Sequence, residues 1–84
     1  MNPHTPQPQR PPLTREEKRE ALRILSERRD KALDRLFDAR DAHAKAIAEG
    51  DAAAEAKCAA RITEANLELR NVEWAISKVV RGEA

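Results

Sequence analysis

From Leu13 to Val80 the apolar residues and alanines recur at alternating steps of three and four, the spacing that returns side chains to one stripe of a helix. One series runs Leu22, Leu25, Arg29, Ala32, Leu36, Ala39, His43 and Ala46. A second runs Glu55, Cys58, Ile62, Ala65, Leu69, Val72, Ile76 and Val79. Between them stands Glu49-Gly50-Asp51, where glycine can take the left-handed conformation that ends a helix and aspartate can cap the next. Thr14 followed by Glu17 has the spacing of a capping box, and Gly82 marks the second stop. The pattern predicts an all-α fold: an arm over 1–13, a hairpin over 14–81 (helix 14–49, turn 49–51, helix 52–81) and a tail over 82–84.

So short a turn makes the two helices antiparallel neighbours, in which residues lying level have numbers with a constant sum. Taken in opposite directions, the two series pair so that every sum is 101. Ala32 then faces Leu69, Leu36 faces Ala65 and Ala39 faces Ile62, a swap of large and small sides that lets helices approach closely without voids. The expectation is therefore two long antiparallel helices in a coiled-coil hairpin. The same register puts Arg35 beside Glu68 on one flank, while Glu27 with Lys31 and Asp41 with Lys45 have favourable i,i+4 spacing.

Composition changes the picture by showing how little such a hairpin has to bury. Sixteen of the 84 residues are alanine, and Leu, Ile, Val and Phe together number fifteen. Chains of this size ordinarily need a metal, a disulfide or a partner, and the single Cys58 cannot form an internal disulfide. Large apolar residues nonetheless fall outside the seam. Leu67 and Trp74, seven apart, lie on the far side of the second helix, and Leu33, Phe37 and Ile47 widen the stripe of the first sideways. Large aromatics at such positions act as interface anchors, so these five residues are the candidate partner-binding set, with dimerisation into a four-helix bundle the economical way to cover them.

The arm adds a second candidate contact. All five prolines lie at positions 3, 6, 8, 11 and 12, and Pro8-Gln9-Arg10-Pro11 has the PxxP spacing that aromatic grooves read in a polyproline II segment. Pro8, Arg10 and Pro11 complete the candidate binding residues.

Reactive side chains are few. His43 facing Cys58, with Glu55 a turn nearer the tip, has neither the oriented third group nor the pocket that nucleophilic catalysis needs. As a metal site it offers two strong ligands and one carboxylate, short of a closed shell. It reads as a small polar layer, and the chain is expected to be no enzyme and to hold no cofactor. Arg29 and Arg40 stand near the centre of the first helix's apolar face, where their stems can cover the seam while the guanidinium groups reach water or a carboxylate such as Glu73.

Sixteen basic residues are matched by fifteen acidic ones, with the signs interspersed, so no phosphate-directed field arises and nucleic acid is not the expected partner. An alternative aligns Arg15, Arg19, Arg23 and Arg28 of a hairpin dimer on nucleic acid, as a transcription-regulatory protein would, although Glu16, Glu20 and Glu27 interleave with them. The acidic tip, Glu49, Asp51 and Glu55, is similar over one turn to the tip that some transcription factors insert into the polymerase secondary channel. Those families carry a second globular domain that these residues do not supply. In outline the hairpin also resembles small plasmid RNA-binding hairpin dimers, and that resemblance covers architecture alone. There is no apolar run of about 18 residues to span a membrane and no apolar signal-peptide core, so the cytoplasm is the expected compartment. The expected role is a non-enzymatic interaction module, a small bacterial or phage structural or regulatory subunit docking on a larger protein or assembly.

Overall fold

The computed structural model describes residues 13–82. They form two helices packed against each other, α1 (Arg15–Glu49) and α2 (Ala52–Val80).

Each helix end is closed by residues suited to it. The Thr14 hydroxyl accepts from the Glu17 amide at 3.1 Å and the Glu17 carboxylate accepts from the Thr14 amide at 3.1 Å. Thr14 is thus the cap, not the first helical residue, and two amides that no carbonyl can reach are satisfied. At the other end of α1, the Asp51 amide donates to the Ala46 carbonyl (2.9 Å) and the Gly50 amide to the Ile47 carbonyl (3.1 Å), with Gly50 at φ 69°. This is the Schellman closure, and it needs a left-handed residue where only glycine escapes the Cβ clash. The Asp51 carboxylate then accepts from the Ala54 amide at 3.1 Å and opens α2. A single residue therefore ends one helix through its backbone and starts the next through its side chain. α2 stops at Val80, with Arg81 as its cap and Gly82 at φ 76°.

The core is the seam between the helices. Among the described residues, the nine buried ones all belong to the two three-and-four series: Leu25, Ala32, Leu36, Ala39 and Ala46 on α1, Cys58, Ala65, Val72 and Val79 on α2. Of the other seam positions, Leu22, His43, Glu55, Ile62, Leu69 and Ile76 are half-buried and Arg29 is exposed. Small residues make up most of the buried set toward the tip. Toward the chain ends Leu25, Val72 and Val79 form a cluster, against which Leu13, Ala21, Leu22, Ala75 and Ile76 pack. Val72 is fully enclosed even though the residue facing it in the register is the exposed Arg29, because Leu25, Val79 and the residues packed on them surround it.

The flanks differ from the sequence expectation in one respect. Glu68 accepts from Arg28, at 2.8 Å, and not from Arg35. Arg28 and Arg35 are seven residues apart on the same flank, so Glu68 lies between them and its carboxylate meets the one nearer the chain ends. Arg35 instead lines a shallow groove with Asp38, Ala39, Arg61 and Glu64. Along α1, Glu27 pairs with Arg23 at 2.8 Å rather than with Lys31, and Arg23 also bridges to Glu20, so one guanidinium serves two carboxylates. No ion pair joins Asp41 to Lys45 among the described residues.

Candidate partner-binding surfaces

The apolar residues left outside the seam are well exposed. Phe37 is 53% accessible, Ile47 54%, Leu67 52% and Trp74 61%, while Leu33 is half-buried where it borders the seam. Their placement follows from helical geometry. Leu33, Phe37 and Ile47 each follow a buried seam residue by one position (Ala32, Leu36, Ala46), so they share one side of α1. Leu67 and Trp74, spaced by two turns, lie on the outer edge of α2, turned from α1. The five candidates thus fall on two surfaces, a broad face on the α1 side and a narrow edge on α2. Pro8, Arg10 and Pro11 lie outside the described residues.

Trp74 is not bare. The Lys78 ammonium sits 3.8 Å from the centroid of its ring, one turn further along α2, a geometry in which the negative face of the indole attracts the cation. Ile24, 46% accessible, and Val80, 63%, are exposed apolar residues that sequence reasoning passed over. The signal was present but masked: each adjoins a buried seam residue, Leu25 or Val79, and so reads as part of the stripe.

On the α2 side, Thr63, Asn66, Leu67, Leu69, Arg70 and Glu73 line an open groove of about 550 Å³. Two of its six lining residues, Arg70 and Glu73, are charged. Neither residue takes part in an ion pair among the described residues, and the same is true of Asp30 and Arg40 on α1.

The reactive trio near the tip is split by burial. Cys58 is buried with its thiol free, whereas His43 and Glu55 are half-buried. Among the described residues no three His, Cys, Asp or Glu side chains gather closely enough to share a metal ion. The arginines of the nucleic-acid alternative are partly neutralised, since Arg23 is held by Glu20 and Glu27 and Arg28 by Glu68. The hydrogen bond from Arg23, reinforced by its charge, holds the Glu20 carboxyl below its ordinary pKa, and the same contact raises that of Arg23. No helix among the described residues is long and apolar enough to cross a membrane.

Compared with known proteins, the chain matches no family model, no curated protein and no solved structure.

Proposed function

We propose that this protein is a non-enzymatic interaction module: a small structural or regulatory subunit, bacterial or phage, that works in the cytoplasm as a dimer of coiled-coil hairpins and docks on a larger protein or assembly. The observation that carries the reading is the exposure of Phe37, Ile47, Leu67 and Trp74 in a chain with so few large apolar residues. A hairpin this short of core material gains nothing for itself by leaving them in water, and contiguous exposed apolar surface marks interaction sites. Trp74 and Leu67 are the anchors for the larger partner, and the Pro-rich arm, with Pro8, Arg10 and Pro11, adds reach.

The test is cross-linking mass spectrometry on the protein captured from its host, repeated with Trp74→Ala and Leu67→Ala. Loss of one and the same cross-linked partner in both variants, with helical content unchanged, supports the reading; capture indifferent to both rejects it. The alternative, a hairpin dimer on nucleic acid, is favoured less, because two of its four aligned arginines are already engaged by carboxylates. It predicts affinity for duplex or RNA that falls steeply with salt.

A further inference from the structure

The two apolar surfaces call for different occupants, and the broad one is built to take a copy of itself. In a right-handed helix, the residue after a seam residue is rotated to the same hand on both helices; with α2 antiparallel and facing α1, both such sets emerge on one face of the hairpin. The ion pair tests this logic from the opposite side. Arg28 and Glu68 each precede a seam residue (Arg29 and Leu69), and they meet across the other face at 2.8 Å. The face in question therefore carries Leu33, Phe37 and Ile47 along α1, with the exposed Arg40 between Phe37 and Ile47. Beside them on α2 run the small residues Ala56, Ala59 and Thr63 and then the groove that Asn66, Leu69 and Arg70 help to line.

Phe37 and the groove lie at matching heights. Residues whose numbers sum to about 101 are level across the hairpin, and at the chain ends a side chain at Gly82 would meet the Lys18 ammonium at 3.6 Å, in keeping with that register. Phe37 is level with position 64, Ile47 with 54 and Asp30 with 71. A two-fold axis along the hairpin would lay α1 of one copy over α2 of another without changing these levels. Phe37 of each copy would then enter the groove between Thr63 and Leu69 of the other, and Ile47 would settle between Ala52 and Ala56. Asp30 and Arg70, neither in an ion pair among the described residues, would meet. The size fits too. A face about 43 Å long, from 29 residues of overlap, and about 20 Å wide, from two helices at 8–10 Å spacing, offers roughly 850 Å² per copy, close to the roughly 800 Å² of a standard stable interface.

We infer that the hairpin dimerises through this face, tip beside tip, with Phe37 of each copy seated in the α2 groove of the other and two Asp30 to Arg70 ion pairs at the same level, one on either side of the two-fold axis. This rests on the dimeric reading above, and it leaves the Trp74 edge, outside the groove, free for the larger partner.

Sedimentation equilibrium of the full chain under reducing conditions tests it, with circular dichroism as a check on helical content. The wild-type protein is expected to be a dimer. Phe37→Asp should give a monomer, and Asp30→Arg or Arg70→Asp alone should weaken the dimer about tenfold or more. The double variant Asp30→Arg with Arg70→Asp should restore most of that loss. Rescue by Asp30→Arg with Arg40→Asp instead would mean tips at opposite ends and would overturn the arrangement; a wild-type monomer at about 100 µM would overturn the dimer itself. Trp74→Ala, outside the groove, should leave self-association unchanged, which separates a failure of this dimer from a failure of partner docking.

Discussion

Arg28 joins α1 to Glu68 of α2, its Nη2 2.8 Å from the carboxylate Oε1, and the two side chains are 49% and 34% exposed. Half in water, the pair gains limited Coulomb energy and loses side-chain freedom. A double-mutant cycle with Arg28→Ala and Glu68→Ala is expected to give a coupling of about 0.5–1 kcal/mol. Raising salt to about 1 M should remove most of it, because exposed charges are screened over a few ångströms at that strength. Denaturant unfolding at two salt concentrations checks both.

The seam tolerates truncation poorly because it is thin. Val72 is wholly enclosed and Leu36 is 5% exposed. Val72→Ala should cost about 1.5–2.5 kcal/mol from two lost methylene equivalents and the space they leave. Leu36→Ala, opposite Ala65, should cost about 2–4 kcal/mol, since two facing alanines cannot close the gap. Chemical denaturation with an unchanged slope is the measurement.

Arg29 occupies a seam position but is exposed and engaged in no ion pair among the described residues. Arg29→Leu should therefore stabilise the hairpin, by about 0.5–1.5 kcal/mol for the partial burial of one leucine. A higher melting temperature is the expected result. A lower one would mean that the arginine stem contributes more packing over Val72 than its exposure implies.

The caps, the seam and the turn were legible in the sequence because each is local or periodic. Thr14 with Glu17 and Gly50 with Asp51 act within a few residues, and the series that sums to 101 contains every buried side chain among the described residues. What was not legible depends on rotamer choice among competing partners. Glu68 had two arginines within reach, and Glu27 had Arg23 and Lys31 on either side one turn away. Neither spacing nor charge decides between them. The separation of Leu67 and Trp74 from Leu33, Phe37 and Ile47 was legible from helical spacing; which face of the hairpin the second set shares with α2 required following the hand of both helices at once.

Gly50 stands at φ 69° with nothing within 4 Å of where a Cβ would be. The cost of a side chain there is conformational, not steric crowding by neighbours. Gly50→Ala should destabilise by about 1–2 kcal/mol, and Gly50→Asn by less, since asparagine visits the left-handed region more readily. Thermal melts of the two variants should fall in that order.

Glu20 sets the sign of a small pH effect. Its folded-state pKa is depressed, chiefly by the hydrogen bond from Arg23. The stabilisation is therefore present above the unfolded carboxylate value and is lost as pH falls through the folded one. Glu20→Gln should flatten the acid side of the stability profile by slightly lowering the neutral plateau while leaving the most acidic region unchanged, the effect being small because the pair is exposed. Melting temperatures from pH 7 to 2 measure it.

The distribution of bulk along the seam also governs how the chain can come apart. Closing the hairpin at Gly50 is entropically cheap, yet the contacts nearest the turn are alanines and one cysteine and return little. The rewarding contacts, Leu25 with Val72 and Val79, come last and close the longest loop. A half-zipped hairpin has therefore met about half of the ordering cost before reaching its largest gain, so partial zippers are disfavoured and an elongated molecule should unfold as one unit. Amide exchange should then show similar protection along both helices, with fraying confined to the ends.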